Sequence, residues 1–211
     1  MNITDVPFLP EFLTVALLHG LVIVSPGLNF TVLMHYTLTY GRRVGLWLAA
    51  GVALGTAVYV TAALCAMKLL LFIANSRPLF AALKWVGAGW IAYVGVKTLL
   101  ARQSQRNVDA DEGPVTESEA VRVGLFSQLS NTKATLFFLA LFTQVIDFHT
   151  PLLIKVGYGA WMCFATFAWF ALVVWLLSLL RVKERLPRFL FYVSKACGVI
   201  LIGLALLLAV P

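Results

Sequence analysis

At 211 residues, with 61% of them apolar or aromatic and only 12% charged, the chain carries more apolar surface than a soluble domain of this size can hide. Its mean hydropathy of +0.92 excludes intrinsic disorder as well. The formal charge of +7 is spread between apolar runs, with no basic stripe carrying interleaved aromatics, so it reads as membrane orientation and not as nucleic-acid binding.

Apolar runs near 20 residues are long enough to cross the hydrocarbon as helices. The first, Phe12 to Gly41, is too long for one straight span and is broken at Ser25-Pro26-Gly27. It lacks a basic leader, so it is expected to stay in the mature protein. The second runs from Val44 to Met67 and the third from Leu79 to Leu100, where Lys84 and Lys97 sit near opposite ends and can snorkel. A polar stretch, Ala101 to Arg122, separates these from a fourth span (Val123–Ile146), a fifth (Val156–Leu180) and a sixth (Phe189–Val210). The fold class expected is an all-α integral membrane protein of six transmembrane helices, with the first helix broken at Pro26-Gly27. Trp85, Tyr93 and Trp161 fall near the expected interfaces, as aromatic belts do.

Loops one, three and five carry ten Lys and Arg residues, against four on the opposite side. The positive-inside rule then places those loops in the cytoplasm and both termini outside. Three spans precede the polar loop and three follow it, and Pro26 and Asn131 lie 105 residues apart, about half the chain. An odd number of spans per half turns the second half upside-down, the inverted-repeat plan of many secondary transporters. The expected layout is one domain over 1–211: repeat one at 8–100, a polar cytoplasmic loop at 101–122, and repeat two at 123–210.

Chemistry concentrates at two places. At Pro26 and Gly27 the helix loses a donor and gains conformational freedom. Non-helical backbone at that depth is tolerated only against protein or a polar cavity. The second half-helix then presents free N–H groups and a positive dipole end to an anion, with Asn29 beside them. Lys133 is the second place. Ten uncharged residues precede it within its span and thirteen follow, so it cannot easily reach an interface. No carboxylate lies in any predicted span, which leaves backbone carbonyls, Asn131, Gln128 or a substrate carboxylate as its partner. A purely structural lysine, bound to carbonyls freed by the broken first helix, is the alternative.

His19 and His35 share the first span and are candidates for a proton relay. Gly51 and Gly55, and likewise Gly41 and Gly45, have the small-xxx-small spacing of close helix packing. The three cysteines are scattered through apolar runs without a metal-ligand or redox spacing. No hydrolase triad, zinc-protease motif or nucleotide loop occurs, so neither an enzyme nor a cofactor or metal is expected. The partners expected are a small-molecule substrate and membrane lipid, with a homodimer left open and no nucleic acid.

The chain resembles the lysine exporter / homoserine-threonine resistance family of amino-acid exporters. The resemblance rests on Ser25-Pro26-Gly27-Leu28-Asn29-Phe30, Gly41-Arg42-Arg43-x-Gly45 with Gly51-x-x-x-Gly55, the run Leu83 to Gly95, and Asn131-Thr132-Lys133-Ala134 followed by Phe137-Phe138. It implies proton-driven export of small amino acids or close analogues. The substrate carboxylate would face Lys133 and the N–H groups after Gly27. Its ammonium would face Asn29, Asn131 and the carbonyls ending the first half-helix. Leu28 and Thr132 stand where the family has prolines, and Thr56 where it commonly has an aspartate. The fourth helix is therefore expected to be less interrupted than in the family, and the obvious proton carrier is missing. A non-transporting scaffold and an exporter of another solute are the rival readings. A thiol-disulfide conductor would need cysteines at the two breaks, and neither of those spans holds one.

Overall fold

The computed structural model describes residues 8–74, 114–147 and 149–179, with eight single helical positions between 85 and 199. Six helices are continuous within it: α1 (Leu9–Val24), α2 (Leu28–Tyr40), α3 (Arg42–Ala74), α4 (Glu117–Leu129), α5 (Thr132–Gln144) and α6 (Leu152–Ser178). No strand occurs among the described residues. The predicted third and sixth spans, Leu79–Leu100 and Phe189–Val210, lie outside the described residues apart from those single positions.

Local chemistry sets the boundaries. Pro26 cannot continue α1, and α2 restarts from Gly27 at 53° to it, so the two form one bent span. At the end of α2, Gly41 takes φ +90°, a left-handed conformation that costs glycine little, and α3 follows at once. Thr116 caps α4 by accepting from the Glu119 N–H, and Glu117 and Glu119 complement the helix dipole in the first turn. That cap starts the helix inside the stretch expected to be loop, so the 101–122 boundary is corrected: its last six residues are helical.

The fourth span departs further from expectation. It is two helices, broken at Ser130-Asn131 without any proline. Asn131 turns extended and its side chain accepts from the Lys133 N–H at 3.1 Å, an N-cap that restarts the chain as α5. The carbonyl of Leu129, left over at the end of α4, accepts from the Tyr59 hydroxyl of α3 at 2.9 Å. An asparagine cap with a borrowed tyrosine donor therefore does what proline was expected to do.

Residues 42–66 of α3 and the whole of α6 are long and apolar enough to cross a membrane, with the bent pair α1–α2 as a third span. Large apolar side chains such as Leu17, Leu54, Phe164 and Trp175 point outward, as they must in lipid. Inside, the core is split in two. Val15, Leu18, Val60, Phe137, Phe138, Leu141 and Met162 form one cluster. Leu33, Leu48, Val52, Phe170, Val173 and Leu177 form the other. Between them on α3 lies Thr56, and on α6 Thr166, each the polar member of a stripe spaced by fours.

The most extensive helix contact joins α3 to α4. Gly51 faces α4 so closely that a β-carbon there would stand 2.1 Å from the Val121 carbonyl oxygen. Gly55 faces the β- and γ-carbons of Gln128, while Gly124 on α4, like Gly51, faces backbone, the Leu48 carbonyl. Backbone atoms cannot rotate aside. Gly51→Ala is expected to destabilise the fold by about 1–3 kcal/mol, as overpacking does. Gly157→Ala, at a helical glycine with nothing within 4 Å of the added carbon, should melt at or slightly above the wild-type temperature. Thermal unfolding of both variants in detergent checks the contrast.

Candidate functional site

The two breaks face each other across the bundle. From the α5 side, the Lys133 ammonium donates to the carbonyls of Ser25 at 2.8 Å and Val22 at 3.0 Å, which Pro26 leaves without helical partners. Its nitrogen stands 3.4 Å from where a β-carbon on Gly27 would be. The positive charge thus lies at the negative end of α1 and beside the N-terminus of α2, where no side chain caps the first N–H groups. The carbonyls ending the first half-helix thus already accept from Lys133, the arrangement of the alternative reading in which a lysine binds the carbonyls freed by the break.

Above and below this contact runs a chain of buried polar groups. Ser127 Oγ donates to Asn29 Oδ1 at 2.9 Å, and Asn29 Nδ2 donates to Gln128 Oε1. Gln128 Nε2 donates to Thr56 Oγ1 at 2.9 Å. Thr56 Oγ1 lies 3.5 Å from Thr166 Oγ1, which in turn lies 3.3 Å from His19 Nε2. Six residues on α1, α2, α3, α4 and α6 are joined in this way. Each is nine-tenths buried, in the layer between the two apolar clusters. Buried polar atoms without partners are costly, so such a belt fixes the register of five helices at once.

A cavity of about 30 Å³, room for a water-sized group, lies against this belt. Gly27, Asn29, Gln128, Asn131 and Lys133 line it, together with His19 and Thr166 and a wall of Phe30, Phe137, Phe138 and Phe170. Pro26 shapes the break but is not among the lining residues. His35 is elsewhere, half-buried against the rings of Tyr36 and Tyr40, and so is separated from the other candidates. A wider cleft, lined by Leu28, Ser118, Arg122, Phe126, Ser127 and Ser130, among others, includes Ser127 of the belt.

Sequence reasoning missed Thr56 as a contact, and missed Ser127, Tyr59 and Thr166 altogether. For the two threonines a signal existed. Val52, Thr56 and Val60 on α3, and Met162, Thr166 and Phe170 on α6, recur every four residues, and the threonine breaks an otherwise apolar stripe.

A profile of the LysE type translocator family matches residues 21–211, nearly the whole chain. The chain belongs to the LysE type translocator family. Among its relatives, the uncharacterized membrane protein YahN of Escherichia coli K12 is 29% identical over 95% of this chain and 89% of its own length. The leucine efflux protein of Klebsiella pneumoniae is 31% identical over 60% of this chain and 58% of its own. The threonine efflux protein of Escherichia coli K12 is 24% identical over 91% and 94%. No solved structure matches the chain. A LysE type translocator with this belt and cavity is an integral membrane protein, and its departures from the family pattern are now concrete. At the aspartate position, the Thr56 side chain accepts from Gln128 and reaches Thr166. At the missing proline of the fourth span, Asn131 still makes the break.

Proposed function

We propose that this translocator is a secondary active exporter of small amino acids or close analogues across the bacterial inner membrane, with both termini in the periplasm. The observation that carries the proposal is Lys133, held at the meeting of two helix breaks on the wall of a cavity. A carboxylate placed there gains the ammonium and the N-terminal dipole of α2 together. Asn29, Gln128 and Asn131 supply neutral polar groups around the zwitterion, and the phenylalanine wall suits a short side chain. The leucine and threonine efflux relatives support the same substrate class.

Alternating access would come from a rocking of the two halves that parts the Ser127–Asn29–Gln128 links and opens the site to the other side. Coupling to one proton is sufficient in energy. Moving one charge through 100 mV is worth about 2.3 kcal/mol, which supports roughly a fiftyfold gradient.

Efflux of preloaded amino acids from vesicles holding the purified chain, screened as a panel, tests the proposal. One or a few amino acids are expected to leave faster than from empty vesicles, and collapsing the proton gradient is expected to stop net export. No acceleration for any amino acid would favour the scaffold reading or another solute.

A further inference from the structure

Acceptors at the cavity are mostly committed. The carbonyls of Val22 and Ser25 accept from Lys133, Asn29 Oδ1 from Ser127, Gln128 Oε1 from Asn29, and Asn131 Oδ1 from the Lys133 N–H. His19 differs. It is 1% exposed and lines the cavity, its Nε2 is engaged with Thr166, and its Nδ1 has no partner among the described residues. No aspartate or glutamate is found among the described lining residues. A buried ring nitrogen left without a partner calls for a ligand.

We propose that Nδ1 of His19 is one seat for two occupants, the α-ammonium of the substrate and the proton exchanged for it. The inference rests on the exporter reading and adds its coupling step. With Nε2–H donating to Thr166 Oγ1, Nδ1 carries the lone pair and accepts from the ammonium while Lys133 holds the carboxylate. When the zwitterion leaves to the outside, a proton from that side bonds to Nδ1 and the ring becomes an imidazolium. An imidazolium has no acceptor and repels an ammonium, so substrate cannot bind until the proton departs. When the site faces the cytoplasm, the proton passes from Nδ1 to water, and the next ammonium takes the lone pair. One zwitterion leaves and one proton enters per cycle, so one positive charge moves inward.

The surroundings suit this role. Of the described residues that line the cavity with His19, Lys133 on α5 is the charged one. Elements α2, α4 and α6 present Asn29, Gln128 and Thr166, which do not titrate. Tyr59 of α3 and Lys155, Tyr158 and Cys163 of α6 stand outside the lining, as does Glu11 in the first turn of α1. Mutual exclusion at a single seat makes the coupling reciprocal: protons weaken substrate binding by the factor that substrate weakens proton binding.

The test uses the full chain in proteoliposomes with radiolabelled threonine and leucine as probes. In the wild type, protons on the substrate side should inhibit exchange competitively, raising the half-saturating concentration about tenfold per pH unit below the titration point and leaving the maximal rate unchanged. Inhibition that lowers the maximal rate instead would overturn the shared seat without any mutation. His19→Gln keeps an acceptor for the ammonium and loses the titration. Substrate–substrate exchange should fall because the seat is altered, the exchange that remains should no longer respond to pH, and gradient-driven net transport should fall by at least about tenfold more than exchange does. Gradient-driven transport at the wild-type rate in that variant overturns the proposal. If the wild type neither exchanges nor exports these probes or any other amino acid of the panel, the exporter reading itself fails, which is a different result.

Discussion

Lys133→Met is expected to lower amino-acid efflux by about a hundredfold or more while the chain still inserts. Two separable effects are combined in that variant. The ammonium donates to Val22 and Ser25, and its loss leaves two carbonyls at the end of α1 without that donor. Hydrogen bonds to a charged group contribute about 1.5–3 kcal/mol each, so some stability should go with it. The ammonium is also the charged group of the described cavity lining, and a carboxylate that loses a charge-assisted partner loses a comparable amount of binding. At about 1.4 kcal/mol per tenfold, one such interaction accounts for most of the hundredfold. Lys133→Gln separates the effects, because its amide can still donate to the carbonyls but carries no charge. Its melting temperature should recover most of the loss seen with methionine, and its efflux should not recover. Efflux per folded molecule near wild type in the methionine variant would reduce Lys133 to a cap on a broken helix.

The parts of this site that were legible in the sequence were those with a cost attached. A Pro-Gly pair in the middle of an apolar run has no inexpensive helical solution, so the α1–α2 break announces itself. Lys133 is equally conspicuous, since a lysine ten residues inside an apolar span needs a partner. Its actual partner was one of several alternatives that residue types could not rank. The second break was hidden because asparagine and serine are tolerated in helices and only their caps reveal the turn. Thr56 and Thr166 were hidden for a related reason. A threonine hydroxyl can satisfy itself within its own helix, as Thr56 does toward the Val52 carbonyl at 3.3 Å, so the stripe it interrupts marks the position without saying what it contacts. Only the fold shows that Gln128 reaches it from the other half of the chain. Likewise, nothing in the spacing of His19 and His35 separates them. Packing places one at the cavity and the other among tyrosines.

Gln128 is where that hidden part concentrates, and its replacement is the second large effect expected. It joins Asn29 on α2 to Thr56 on α3 through one amide, and its β- and γ-carbons fill the space opposite Gly55. Gln128→Leu keeps most of the volume but leaves the Asn29 amide and the Thr56 hydroxyl each short of a partner. At about 1–3 kcal/mol for a stranded buried group, a loss of about 2–4 kcal/mol is expected, read as a lower melting temperature in detergent. Transport should fall with it, because the same residue lines the cavity. A double-mutant cycle distinguishes a hydrogen-bonded belt from simple packing. Thr56→Val alone strands the Gln128 amide, and Gln128→Leu alone takes from Thr56 one of its partners. Together they replace the pair by two apolar side chains, so the double variant should be more stable than the sum of the single losses predicts, by about 1 kcal/mol or more. Strict additivity would mean that the two side chains only touch, and that the belt does not hold the halves in register.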